Sequence, residues 1–246
     1  RYVLSLLWVI LLSSPSFAQS GFVKVNGKGQ FSLNGKPYYY AGTNFWYGAI
    51  LGSTGQGGNR NRLKNELDRL HALGLDNLRI LVGADGTSEA VSKVKPTLQV
   101  APGVYNDTIL EGLDYLLQQM SVRHMKAVLY LNNAWEWTGG YSQYLAWVRG
   151  EKAPIPAVDG WPAYMNYVKQ YVFNDSAKAM FANHVKFILS RTNRFTHRKY
   201  KDDATIMTWQ ISNEPRAFSN EGKAPFKEWL RQVSALIKRL DPHHLV

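Results

Sequence analysis

An apolar run that stops abruptly on an acid sets the tightest limit on what this chain can become. Residues 204–212 read Ala-Thr-Ile-Met-Thr-Trp-Gln-Ile-Ser, largely apolar and β-branched, and Asn213-Glu214-Pro215 follows at once. Such a run is what a strand covered on both faces looks like, as in a parallel sheet flanked by helices. Pro215 cannot donate a ladder hydrogen bond, and it biases Glu214 toward an extended backbone, so the strand ends here. A carboxylate at the carboxyl end of a buried parallel strand stands where a parallel α/β barrel builds its active site. Taken alone, Asn-Glu-Pro is a weak signal, and a Glu that merely caps a strand before a turn accounts for it.

Upstream, strand-like runs recur, each followed by a helical stripe. Residues 22–40 carry two turn signals, Asn26-Gly27 and Asn34-Gly35, and predict a hairpin leading into a first strand over 38–44. An aromatic turn, Phe45-Trp46-Tyr47, comes next. A first helix is expected over 59–73, with Leu63, Leu67, Leu70 and Leu73 on one face and Gly74 as its terminator. The second strand, 77–82, carries Arg79. After a long connection (83–105), Ile109, Leu110, Leu113, Leu116, Leu117 and Met120 mark a second helix. The third strand, 127–131, ends on Asn132-Asn133. Residues 134–174 read as a long aromatic loop, and a loop of that length in a compact domain usually has a functional job. Asn174 or Asp175 caps a third helix whose inner face is Met180, Phe181, His184, Val185 and Ile188. After the 204–212 strand, Phe226, Trp229, Leu230, Val233, Ile237 and Leu240 define a fourth helix, and residues 243–246 begin a fifth strand. Strands alternating with helices predict a parallel α/β fold, here a (β/α)8 TIM barrel of which about the first half to five strands are present. Such a barrel takes about 250 residues or more. The chain is therefore expected to be a C-terminally truncated fragment, with 19–246 the N-terminal part of one catalytic domain.

Composition narrows the chemistry. With no cysteine among 246 residues, disulfides, thiolate metal sites and a cysteine nucleophile are excluded. The six His have no metal-ligand spacing, so no metal or cofactor is expected, and His184 reads as a buried imidazole. A formal charge of +11 could favour anionic partners. The Lys and Arg residues are scattered, however, and no nucleic-acid signature is present. The densest basic run, 191–201, falls where a helix ends and reads as solvated cations complementing the helix dipole. Glycine-rich 52–58 lacks the Lys and Ser/Thr of a phosphate loop and reads as a flexible turn. Residues 1–18 combine an apolar core too short to span a bilayer with small residues at Ser16 and Ala18, the pattern of a secretory signal peptide cleaved after Ala18. The absent initiating Met reads as a sequence that begins inside its frame. The mature protein is expected to be secreted, monomeric and free of the membrane.

Several separate stretches carry a more specific signal. They are FSLNGKPYYYAGTNFW (31–46), LQVAPGVYN (98–106), Leu113-Asp114-Tyr115 and Tyr130-Leu131-Asn132-Asn133. NHVKFILSRTN (183–193) then leads through Tyr200-Lys201-Asp202-Asp203 to Asn213-Glu214-Pro215-Arg216. This ordered set resembles the endo-β-1,4-mannanase branch of glycoside hydrolase family 5, within the clan A retaining glycosidases built on a (β/α)8 barrel. The resemblance implies an endo-acting enzyme cutting β-1,4-mannosidic bonds in mannan, galactomannan or glucomannan. It implies Glu214 as acid/base, Asn213 on the sugar 2-hydroxyl, and Arg79 orienting the nucleophile and keeping it ionised. Plainer alternatives are an Asx turn for Asn213 and a structural ion pair for Arg79.

Retention needs two carboxyl groups about 5–5.5 Å apart. The resemblance places the second at the end of strand seven, beyond Val246, so the chain as it stands is expected to be inactive. Glu136 and Glu221 read as loop acids. Sugar rings pack their C–H faces on aromatic side chains. Trp135 is the expected subsite wall, with Asn132 as a further substrate contact. The family sets its Trp directly after the Asn pair, whereas Ala134 intervenes here. Trp46 is expected to line the glycone side unless it packs in the core, and Arg216 to contact leaving-group sugars. Trp137, Trp147 and Trp161 are open to sugar binding or plain packing.

Two rival readings remain. A β-1,4-glucanase on the same barrel would differ only in the epimer it accepts at one hydroxyl. A non-catalytic carbohydrate-binding barrel would keep the aromatic loops. Intact Asn213-Glu214 with Arg79 weighs against the second, because a binder needs no acid aimed at a scissile bond.

Overall fold

The computed structural model describes residues 21–87 and 90–246, so the expected leader over 1–18 lies outside the described residues. Three short strands come first: β1 (Val23–Val25), β2 (Phe31–Leu33) and β3 (Lys36–Pro37) pair antiparallel. The two-residue loop between β2 and β3 is Asn34-Gly35, at φ 52° and 78°, the positive pair that a tight hairpin turn demands. Then follow β4 (Gly42–Asn44), α1 (Gly48–Gly52), α2 (Arg60–Ala72) and β5 (Asn77–Leu81). A hairpin of β6 (Gln99–Ala101) and β7 (Val104–Tyr105) leads to α3 (Asp107–Val122) and β8 (Lys126–Tyr130). The chain continues through α4 (Gly140–Arg149), α5 (Pro156–Asp159), α6 (Trp161–Val168), α7 (Asp175–Ser190), β9 (Ile206–Gln210) and α8 (Lys223–Leu240).

β4, β5, β8 and β9 form one parallel sheet in that order. The order never reverses, so each crossover steps the same way and lays its helix on one side. A barrel grows in this manner, whereas a doubly wound sheet has a point of reversal. A fifth strand begins beside β9: Leu245 bridges Thr208 in parallel, and the Trp209 N–H donates to the Leu245 carbonyl at 2.9 Å.

Side chains alternate across the sheet. Leu78, Ile80, Ala127, Leu129 and Trp209 join the core under the helices, together with Leu113 and Leu117 of α3 and Phe181 and Ile188 of α7. Asn77, Arg79, Val128 and Gln210 line the opposite, inner face. Val23 of β1 packs with Val128 and Met207, bringing the antiparallel sheet against the parallel one. Asn59, Asn106 and Asn174 cap α2, α3 and α7 by accepting backbone N–H bonds, so the third crossover helix starts on Asn174. No described helix is long and apolar enough to cross a membrane.

The structure differs from expectation in five places. The first parallel strand is 42–44, because Tyr39 and Tyr40 turn out to solvent ahead of it. Leu73 is exposed, since the chain turns away after it at Gly74, φ 73°. Residues 134–174 are not an open loop: α4, α5 and α6 fill them, and Tyr141, Tyr144, Tyr164 and Tyr171 are fully buried core. A short helix that the sequence did not announce, α1, precedes the glycine-rich turn, ends on its Gly52 and is pressed on α3. A side chain at Gly52 would strike the Gly112 carbonyl, and one at Gly112 would strike the Ala49 carbonyl. The basic run is not uniformly solvated either. Arg191 folds inward onto fully buried Asp114 of α3, with Nε at 2.9 Å and Nη2 at 2.6 Å.

Candidate active site

The carboxyl ends of β5, β8 and β9 converge because the strands run parallel in adjacent register. Arg79 lies opposite Val128, and beyond the regular ladder Asn133 bridges Asn213. The Asn213 N–H donates to the Asn132 carbonyl at 2.8 Å, and the Ala134 N–H donates to the Asn213 carbonyl at 3.0 Å. These bonds fix the backbone on which the acid follows.

Around this backbone the side chains form a connected set. Arg79 Nη2 donates to Asn213 Oδ1 at 3.0 Å, and Asn213 Nδ2 donates to Asn133 Oδ1 at 3.0 Å. Asn133 Oδ1 also accepts the Trp135 N–H at 3.1 Å. The Asn213 amide is thereby oriented from both ends, and its second N–H remains to meet a hydroxyl acceptor. Arg79 Nε donates to Gln210 Oε1 at 2.7 Å and Nη1 to Asn44 Oδ1 at 3.4 Å, while its guanidinium lies 4.3 Å over the Tyr130 ring. Burial pulls the Arg79 pKa below the usual guanidinium value, against the opposing influence of Tyr130 and Glu214. The three hydrogen bonds named go to neutral amide oxygens.

Glu214 has a half-exposed side chain, and its backbone is at φ 44°. The extended backbone expected ahead of Pro215 is thus not what forms. A non-glycine residue in the left-handed region is strained and persists only where its surroundings over-determine it. Here those surroundings are two donors on one carboxylate oxygen. Trp135 Nε1 donates to Glu214 Oε2 at 2.6 Å, and Arg216 Nη2 donates to the same oxygen at 3.3 Å. Arg216 itself lies 4.4 Å over the Trp135 ring. Glu214 faces a groove shared with Arg79, Gln210, Ser212 and Arg231. Among the described residues lining that groove it is the one acid, and neither Glu136 nor Glu221 lines it.

The structure therefore brings Glu214, Asn213, Arg79, Trp135 and Arg216 into one cluster. It keeps two other expected contacts apart. Asn132 is fully buried, and its Oδ1 turns back to accept the Asn133 N–H at 2.7 Å. Trp46 is partly exposed and packs edge-on to Trp137 at 6.1 Å, outside the Glu214 cluster. Sequence reasoning passed over Asn133, Gln210, Asn44 and Tyr130. The available signal was polar residues on strands that had to be buried, each needing a partner. Chemically, the cluster offers a carboxyl group reachable from a groove, beside an amide with a free N–H and a fixed cation.

Residues 20–246 match the family model described as GH family 5 beta-mannosidase-like. Mannan endo-1,4-beta-mannosidase 7 of Arabidopsis thaliana is 33% identical over 237 residues, which cover 96% of this chain and 50% of that relative. Mannan endo-1,4-beta-mannosidase 5 of Solanum lycopersicum is 30% identical, over 96% of this chain and 52% of its own length. Among solved structures, the glycoside hydrolase family 5 mannosidase of Rhizomucor miehei superposes with a TM-score of 0.84 at 33% identity, covering 92% of this chain and 55% of that one. The endo-1,4-beta-mannanase of the same organism superposes at 0.73 with 29% identity, covering 92% of this chain and 60% of that one. The chain thus spans about half the length of the curated relatives it matches. Sequential parallel strands, an Asn-Glu pair at the end of the fourth, and a match that runs from residue 20 to Val246 agree on one assignment. This chain belongs to glycoside hydrolase family 5, in its β-mannosidase-like group, and carries part of that family's (β/α)8 barrel.

Proposed function

We propose that the protein is a secreted, retaining, endo-acting glycoside hydrolase that cleaves β-1,4-mannosidic bonds in mannan, galactomannan or glucomannan. The observation that carries this reading is Glu214. It is a groove-facing carboxyl at the end of a parallel strand, directly beside an Asn whose amide is held at both ends. Glu214 protonates the leaving oxygen and then deprotonates water, the two duties of the acid/base in retention. Asn213 holds the sugar 2-hydroxyl with its remaining N–H. Arg79 keeps Asn213 in register and faces the nucleophile, a second carboxyl group contributed by strand seven of the barrel. Arg216 meets leaving-group sugars, and Trp46 lines the glycone side. The enzyme acts as a monomer on its polysaccharide, and the reaction requires no metal or cofactor, since carboxyl groups and water suffice. The mannan preference rests on the relatives named above, both of them mannan endo-1,4-beta-mannosidases.

In a protein that carries the complete barrel, with its second carboxyl group, replacing Glu214 by Gln is expected to lower reducing-end release from galactomannan about 10³-fold, within the range for loss of a general acid–base. Manno-oligosaccharide binding should survive the change. Faster cleavage of carboxymethylcellulose than of galactomannan by that complete protein would establish the β-1,4-glucanase instead. Release of mannose alone, without internal cuts, would overturn endo action. Turnover that survived Glu214→Gln would remove Glu214 from the acid's role.

A further inference from the structure

We propose that Trp135 is a positioning residue that fixes which oxygen of Glu214 carries the proton, and is not a sugar platform. This rests on Glu214 being the acid.

The indole Nε1–H is a donor with no acceptor capacity, and so is a guanidinium N–H. Both point at Glu214 Oε2, Trp135 at 2.6 Å and Arg216 at 3.3 Å. Oε2 must therefore offer lone pairs whether the carboxyl group is charged or neutral. The proton of the neutral form is left to Oε1. A carboxylic acid with either oxygen protonated would present its O–H in two directions, and only one can meet a glycosidic oxygen. The two donors remove that ambiguity and hold Glu214 at its strained φ of 44°.

The indole is itself immobilised. Its backbone N–H is tied to Asn133 Oδ1, and Trp161 and Phe218 meet its ring edge-to-face at 5.6 Å each. Fully buried Tyr164 stacks on it at 6.3 Å, and the Arg216 guanidinium lies over it at 4.4 Å. A pyranose could reach this ring face only by displacing Arg216. Four side chains around one ring are what a rigid donor needs and what a sugar-binding surface lacks.

The charged groups facing Glu214 are Arg216 from its own loop, Arg79 from β5 and Arg231 from α8, which lines the same groove. Arg231 is itself paired with Glu228 at 2.6 Å. The Trp135 bond is the one of these contacts that a single substitution removes without changing a charge.

The test uses nitrogen-labelled and carboxyl-carbon-labelled protein followed by NMR through the Glu214 titration, with Glu214→Gln assigning the carboxyl signal. In the unmodified protein the Trp135 indole N–H signal should move with the same midpoint as the Glu214 carboxyl. In Trp135→Phe, which keeps a flat ring and removes the donor, the Glu214 midpoint should shift. Trp161→Phe, which alters only packing, should leave it in place. The alkaline limb of mannan hydrolysis should move with the midpoint. An indole signal that ignores the Glu214 titration would overturn the proposal even if Trp135→Phe fails to fold, as would an unmoved midpoint in a folded variant. The titration reads the carboxyl group directly, so a protein that failed to cleave mannan would refute the enzyme reading and leave this result standing or falling separately.

Discussion

At the scale of single residues, Asn133 is the one that changes the picture of the site. Its Oδ1 accepts from both Asn213 Nδ2 and the Trp135 backbone, so it links the amide beside the acid to the donor on the acid. Asn133→Ala should leave two part-buried donors without their partner and release the Asn213 amide. The expected result is a fall in kcat of about 10²-fold, as for a misplacement near 1 Å, with oligosaccharide binding weakened less. Activity within twofold of the unmodified protein would show that Asn213 is held by Arg79 alone. Glu214, Asn213 and Arg79 could be picked out from sequence because polar residues on or just after buried strands have no packing reason to be there. The choice between Asn132 and Asn133 could not. Regular alternation stops at Tyr130, and the register beyond it is set by the bridge to Asn213, some 80 positions along the chain. Trp135 was legible as a residue of interest, but its surroundings were not, because Arg216 and Phe218 reach it from the far side of β9 in sequence.

Among elements, the most consequential join is one that periodicity cannot reveal. Asp114 of α3 is fully buried and accepts four hydrogen bonds: two from Arg191, one from the Arg194 N–H at 3.2 Å and one from Tyr200 Oη at 2.6 Å. Asn193 Nδ2 adds a fifth contact, donating to the Asp114 carbonyl at 2.9 Å. A single carboxylate thus ties α3 to the end of α7 and to the segment entering β9. The stretches around Asp114, Arg191 and Tyr200 are among those that carry the family resemblance, and here they meet. Asp114→Ala should destabilise the fold by about 3–5 kcal/mol, because it leaves a largely buried guanidinium without its counter-charge. Urea denaturation checks this, and a loss below about 1 kcal/mol would mean that Arg191 finds water instead. The helices and strands themselves were readable from spacing and from the Asn caps. Helices α4 to α6 were hidden because Gly and Pro punctuate them, and Tyr141, Tyr144 and Tyr164 looked like a binding loop when they are core.

For the molecule as a whole, what closes the sheet's amino-terminal end is a buried polar knot. Asp241 ends α8, and its Oδ2 accepts from Trp209 Nε1 of β9 at 2.7 Å and pairs with His244 Nδ1 at 2.5 Å. His244 Nε2 reaches the Asp203 carbonyl at 3.0 Å, so both ring nitrogens face acceptors. Phe22, from the opening of the described chain, stacks on His243 at 4.9 Å and meets His244 edge-on at 5.0 Å. Three distant parts of the sequence therefore depend on one carboxylate. Burial pushes the Asp241 pKa up, but the hydrogen bond and charge of His244, with the Trp209 N–H, outweigh it and bring the value down to about 2. A folded-state pKa below the unfolded one favours the folded state wherever the unfolded Asp is ionised, above about pH 4. That stability is lost as pH falls through about 2. The drop of nearly two pH units corresponds to about 2 kcal/mol. Other carboxylates contribute their own acid sensitivity, so the measurement is a difference. Urea midpoints of the unmodified protein and of Asp241→Asn should be furthest apart near pH 6 and should converge by about 2 kcal/mol on acidification. Curves that stay parallel from pH 6 to pH 2 would mean that the knot holds by shape and neutral hydrogen bonds, and that its charge contributes nothing to joining the end of α8 to the sheet.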